Sequence, residues 1–164
     1  MTTREPVLTG GCQCGAVRYA LYAMPKDFNV CHCRMCQKAV GGPFAALVPN
    51  EKADFAWTRG TPGAFASSTL ASRDFCRDCG TPLTYRGPSG RVNVTYGSLD
   101  EPGRVAPKKQ YGMEGRREWV DHLAELPGVR TDQDQTPAEL ASIVTHQHPD
   151  HDTADSWRAK TADK

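Results

Sequence analysis

The sequence predicts a mainly β protein, a compact β-sheet core followed by short C-terminal helices. Three observations point there. Short apolar segments, several with period-two alternation, recur from Val7 to Tyr96 and are bounded by Gly-Gly, Gly-Pro and Ser-Gly dipeptides. From about Leu99 the pattern changes to a loop and then to helix signals. The length, 164 residues, suits one domain, and no fixed period suggests a solenoid.

The elements follow in order. Residues 7–22, VLTGGCQCGAVRYALY, hold a Gly-Gly turn and then Val17, Tyr19 and Leu21 at alternate positions, which reads as a hairpin. Phe28–Cys33 reads as a strand. Cys36–Gly42 reads as a turn or short helix punctuated by Gly41, Gly42 and Pro43. Phe44–Val48 and Phe55–Thr58 read as strands. Residues 64–76, small and β-branched, lead into Phe75–Cys76, and after a turn at Arg77–Gly80 comes Thr81–Tyr85. Arg91–Tyr96 alternates, with Val92, Val94 and Tyr96 on one face. Pro102, Gly103 and Pro107 mark a loop. Glu114–Leu126 is expected to be a helix with Trp119, Leu123 and Leu126 along one face. Thr136-Pro137-Ala138-Glu139 places an N-cap, a proline at the first helical position and an acid three residues after the cap, so a helix starts there and runs to about Val144. The last dozen residues are polar and expected to fray. The change of character divides the chain into a β domain, 1–112, and a helical extension with a polar tail, 113–164.

Charge narrows the functions. Twenty basic and 19 acidic residues leave a formal charge of +1, which makes no electrostatic case for nucleic acid or an anionic membrane. Lys108–Lys109 and Arg116–Arg117 read as parts of a solvated face. The N-terminal MTTREPVLTGG has no signal-peptide core. The longest apolar run, Phe44–Val48, is far short of the roughly 20 residues that cross a bilayer. A cytoplasmic protein is expected, and the sequon at Asn93-Val94-Thr95 is discounted on that ground. Seven cysteines is an odd number, which with the missing signal peptide opposes a disulfide framework.

The cysteines fall into three groups: Cys12 and Cys14; Cys31, Cys33 and Cys36; Cys76 and Cys79. Alternation on a strand lets Cys12 and Cys14 face one ion. Cys76 and Cys79, followed by Gly80, form a turn that presents two sulfurs. Two plus two makes a closed four-thiolate zinc site, structural in role; the alternative is that one pair is simply buried thiols. The remaining trio is one donor short of a tetrahedron. Either a fourth protein ligand arrives from elsewhere, or solvent and substrate use the open position. Strand alternation points His32 away from its neighbours, as a packing residue. Zinc with three thiolates carries a formal charge of −1, which Arg34 and Lys38 could offset; both could equally be ordinary exposed bases.

The segments GGCQCGAVRY, VCHCRMCQKAVGGPF, FCRDCGTPL and YGSLD, in this order and spacing, resemble the glutathione-dependent formaldehyde-activating enzymes and the wider GFA domain. They span about Gly10 to Asp100. The resemblance implies a zinc-bound β-sheet fold with two zinc ions per chain. It implies structural zinc on Cys12, Cys14, Cys76 and Cys79, and catalytic zinc on Cys31, Cys33 and Cys36. It also implies a carbon–sulfur lyase acting on thiol–aldehyde adducts, with glutathione and formaldehyde as the family's named partners. The alternative function is a non-catalytic zinc module that binds a protein.

One motif stands apart. His146, His148, Asp150 and His151 in IVTHQHPDHD have the HxHxDH spacing of metallo-β-lactamase-type hydrolases, but only 13 residues follow His151, too few for that scaffold. A polar tail, or adventitious metal binding, is the expected reading; an intermediate one has His122 or a histidine of this cluster cap the second zinc.

Overall fold

In the computed structural model residues 4–157 are described. Ten strands make two sheets. The smaller holds β1 (Leu8–Gly11), β2 (Arg18–Leu21) and β5 (Phe55–Arg59), antiparallel in the order β1-β2-β5. The larger holds β3 (Phe28–Cys31), β4 (Ala45–Asn50), β6 (Gly63–Ser68), β7 (Ala71–Phe75), β8 (Pro82–Arg86), β9 (Val92–Thr95) and β10 (Pro107–Tyr111). Its order is β10-β3-β4-β9-β8-β7-β6, antiparallel except for the parallel pair β10-β3. The expected segment 64–76 is thus two strands of one hairpin.

Tyr19 and Leu21 of β2, both without solvent exposure, meet Val48, Leu83 and Val94 of the large sheet in one core. Period two explains the choice in β2 and β9, where Tyr19 with Leu21 and Val92 with Val94 are buried apolar residues at alternate positions. Tyr19 keeps its hydroxyl satisfied on Ser98 Oγ at 2.8 Å and packs edge-on against Trp57. A buried tyrosine without that partner would carry the cost of an unmet hydrogen bond.

The second half departs from the sequence expectation in three places. The loop expected around Pro107 contains β10, whose parallel register on β3 sets Tyr111 beside Cys31. No local pattern announces it, because Pro107–Tyr111 is exposed along its whole length and so carries no alternation. The helix expected at Glu114–Leu126 is instead a 3-10 turn, Met113–Gly115, and a 3-10 segment, Glu118–Glu125. Its apolar stripe finds nothing to pack on: Trp119, Leu123 and Leu126 are exposed, and a short helix without a buried face gains little. Two α-helices follow, α2 (Thr131–Asp134) and α3 (Pro137–Ser142). The latter starts at the predicted capping box, with Thr136 Oγ1 accepting from Glu139 N–H and Glu139 Oε2 accepting from Thr136 N–H, and stops at Ser142, short of Val144. The remaining helix, α1 (Arg34–Val40), lies within the second cysteine segment.

The third departure concerns the tail. Of the last dozen residues, 153–157 are pinned with 148–152 across the outer face of the small sheet, not frayed, and 158–164 lie outside the described residues. Arg18 of β2 is 2% exposed and donates to Asp100 Oδ1 (2.8 Å) and Asp152 Oδ1 (2.7 Å). Arg59, its neighbour on β5, donates to Thr153 Oγ1. His148 is buried, its backbone N–H bonded to Gln13 O at 2.7 Å and its ring edge-on to Trp157. Two adjacent arginines on one sheet face repel, and Asp100 together with the acids and carbonyls of the tail offsets their charges. No helix among the described residues is long and apolar enough to cross a membrane.

Candidate metal centres

All seven cysteines are free thiols and they gather at two points. The sulfurs of Cys12, Cys14, Cys76 and Cys79 lie within 4.8 Å of one another, and so do those of Cys31, Cys33 and Cys36.

The four-sulfur group is built by two tight turns. Cys12 and Cys14 sit in the turn between β1 and β2, not on a strand as their spacing suggested. Gly15 takes the left-handed conformation (φ 72°), and its N–H bonds to Cys12 O at 3.0 Å, which curls the segment so that both sulfurs converge. Cys76 and Cys79 form the turn between β7 and β8, closed by left-handed Gly80 donating to Cys76 O at 3.0 Å. The separations Cys12 to Cys14 (3.6 Å) and Cys14 to Cys76 (3.7 Å) match the edge of a zinc–sulfur tetrahedron, about 3.8 Å for a 2.3 Å bond. Burial pushes the Cys14 thiol up, and Cys76 to about 11; at Cys79 burial is outweighed by the hydroxyl and amide of Thr81, which bring it down to about 6. Crowding therefore resists ionising every sulfur at once, and a divalent cation among them would offset two of the four thiolate charges.

The three-sulfur group is built at a strand end. β3 ends at Cys31, Cys33 is the N-cap of α1, and Cys36 lies in its first turn. Turn geometry, not a shared strand face, brings Cys33 to its neighbours. Burial raises Cys31 to about 12; burial acts the same way on Cys33, but the backbone amides of Cys36 and Met35 and the neighbouring thiols outweigh it and bring Cys33 down. Among the described residues no histidine or carboxylate joins the trio. All three cysteines line a cleft of about 570 Å³ walled by Leu47, Tyr85 and Tyr111.

The backing of the trio comes from β10 and the 3-10 turn that follows it. His32 N–H donates to Tyr111 O at 2.9 Å. Gln37, buried, donates through Nε2 to both His32 O and Gly115 O at 2.8 Å. His32 is itself buried, bonded through Nε2 to Gln110 Oε1 and edge-on to Phe44, so it packs behind the cluster as alternation predicted.

Other candidates fare differently. Arg34 and Lys38 are exposed on α1, and Arg34 turns to Gln37 Oε1. The cation that touches the trio is Arg73 of β7, whose Nη2 lies 3.3 Å from Cys36 Sγ. Sequence reading missed it because the two are 37 residues apart and no spacing rule links them. His122 pairs with Glu125. His146 and His151 are exposed and His148 serves the tail, so among the described residues the hydrolase-like motif gathers no metal-capable group.

The glutathione-dependent formaldehyde-activating enzyme family matches residues 7–114. An uncharacterized lyase of Schizosaccharomyces pombe is 30% identical over 86 residues, covering 52% of this chain and 62% of that protein. A Halomonas elongata protein, named as a glutathione-dependent formaldehyde-activating enzyme, is 27% identical over 126 residues, covering 70% of this chain and 80% of that one. A Rhodobacter sphaeroides crystal structure has the same fold, with a TM-score of 0.51 at 24% identity over 62% of this chain and 98% of its own.

Proposed function

The chain belongs to the glutathione-dependent formaldehyde-activating enzyme family, and from that premise we propose a zinc-dependent carbon–sulfur lyase/synthase that joins a small thiol to an aldehyde. Glutathione and formaldehyde, giving S-(hydroxymethyl)glutathione, are the reactants the family description favours. In this reading Cys12, Cys14, Cys76 and Cys79 hold a structural zinc, and Cys31, Cys33 and Cys36 hold the catalytic one. Seven unpaired thiols suit a reducing compartment, the cytoplasm.

One observation carries the reading: three sulfurs converge within 4.8 Å and open together on a cleft. Soft thiolates at that separation suit zinc, and three donors are the number a reactive site uses. Zinc there would favour the thiolate form of an incoming thiol and polarise a carbonyl oxygen.

The chain's residues bind and orient. The reaction forms one C–S bond, breaks the carbonyl π bond and moves the thiol proton to oxygen, so nothing is oxidised or reduced. Leu47 and Tyr85 supply apolar wall, and Asn29, Asn93 and Ser67 supply polar groups along the same cleft. Holding thiol and aldehyde side by side replaces a bimolecular encounter by a local one, which is a large part of what such a site can contribute. Gly112 and Gly115 bring backbone close behind Cys33: a Cβ added at Gly112 would lie 2.6 Å from Cys33 N, and one at Gly115 3.3 Å from Cys33 Cα.

The test is metal analysis with a rate. The protein is expected to carry two zinc ions per chain and to accelerate hemithioacetal formation between glutathione and formaldehyde, followed by NMR. Cys33→Ala is expected to keep the four-sulfur zinc and lose the acceleration. A Cys33→Ala variant with wild-type acceleration refutes the assignment.

A further inference from the structure

We propose that Arg73 is a positioning residue of the three-sulfur centre: its guanidinium hydrogen-bonds Cys36 Sγ and offsets the negative charge of three thiolates, which admits an anionic thiol substrate. The inference rests on reading that trio as the metal site.

Arg73 is held from three sides. Its Nη2 donates to Cys36 Sγ at 3.3 Å, its Nε donates to Ser67 Oγ at 3.2 Å, and its guanidinium stacks 4.9 Å from the centre of the Tyr85 ring. These partners belong to α1, β6 and β8, so three elements fix one side chain. The next residue on β7, Asp74, faces the other side of the strand and is taken by Thr84 Oγ1 and Arg86 Nη2. Among the described residues no carboxylate forms an ion pair with Arg73. A half-buried cation needs an anionic or polarisable partner, and here the sulfur cluster and the ring are what it has.

The charge count gives the consequence. A divalent ion with three thiolates has a net charge of −1, and a thiolate substrate would take it to −2. One fixed cation against Cys36 restores a unit of charge. The N–H···S bond also draws electron density from the sulfur, so the ligand donates less to the ion. Arginine suits this better than lysine, because its planar fork can reach Ser67 and Cys36 together while lying on the ring.

Cobalt(II) in place of zinc makes the centre visible. Glutathione is titrated into cobalt-loaded wild type, Arg73→Gln and Arg73→Lys, and the difference spectrum isolates the centre that responds to the thiol. Arg73→Gln is expected to weaken glutathione about ten- to a hundredfold, the range for a hydrogen bond to a charged group. It is also expected to move the sulfur-to-cobalt band of that centre to lower energy. Arg73→Lys keeps the charge but not the fork, and falls between the two. A packing role alone would leave the band in place. If Arg73→Gln does not fold, the Lys variant decides: an unchanged band and affinity overturn the proposal. Unchanged values in both variants, with glutathione still altering the wild-type spectrum, overturn the Arg73 role and leave the proposed function standing. A wild-type spectrum indifferent to glutathione overturns both.

Discussion

Replacing Gly112 with alanine should cost far more than the same change at Gly41, although the two share a backbone conformation. Gly112 has φ 63° and Gly41 φ 65°, both left-handed, where a side chain costs about 1–2 kcal/mol. Around Gly41, the C-cap of α1, an added Cβ meets nothing within 4 Å. At Gly112 it would lie 2.6 Å from Cys33 N and 2.9 Å from Cys33 Cβ. Backbone on both sides must move, and overpacking of that kind adds about 1–3 kcal/mol. The expected losses are thus about 1–2 kcal/mol at Gly41 and about 2–5 kcal/mol at Gly112. Urea unfolding of the zinc-loaded protein measures the difference, and metal analysis measures a second effect. Because the residue displaced is Cys33, Gly112→Ala is also expected to lose metal from the three-sulfur centre while the four-sulfur centre keeps its own. Equal destabilisation of the two variants, with full metal content in both, would show that β10 does not run against the cysteine segment.

Two further outcomes concern the tail. Arg18→Leu leaves the Asp100 carboxylate, 6% exposed, without its cation and is expected to cost about 3–5 kcal/mol in thermal unfolding; the double change Arg18→Leu with Asp100→Leu should recover most of it, and a single variant as stable as wild type would contradict the burial. His148 is held neutral: burial first, then the Arg18 charge, keep its proton affinity below the ordinary value of 6.5, with Arg59 acting the same way and Asp100 opposing. Its Nδ1–H donates to Pro149 O and its Nε2 accepts from Thr153 Oγ1, an arrangement for the neutral ring. The released chain takes the proton more readily than the docked one, so docking is full above pH 6.5 and is lost as pH falls below it. Protection of residues 148–157, that is exchange relative to the intrinsic amide rate at each pH, should therefore fall on acidification, more in wild type than in His148→Gln. Protection that does not change down to about pH 5 would refute this.

Much of the candidate site could be read from the chain because its information is local. Cys76-Arg77-Asp78-Cys79-Gly80 is a turn by composition, and the structure folds it as one. The partition of seven sulfurs into four and three followed from counting, and the sulfurs gather in those two sets. Strand alternation is not what gathers the pairs spaced by two: Cys12 with Cys14 converge through a turn, and Cys31 with Cys33 through a strand end and a helix start. Spacing of two residues is compatible with either geometry, so the spacing alone could not choose.

What the linear chain determined is the period-two strands, the capping box at Thr136 and the cysteines that each turn or helix start presents together, since each depends on residues within a few positions of one another; the meeting of Cys14 with Cys76, 62 residues apart, is tertiary. What the tertiary structure decided is β10 on β3, Arg73 on Cys36, and the tail across Arg18 and Arg59. These contacts join residues from 37 to 134 apart, and in exposed or polar segments burial leaves no periodic trace of them. A cation's partner is chosen by which strands lie side by side, and that depends on packing the whole sheet rather than on any stretch of it.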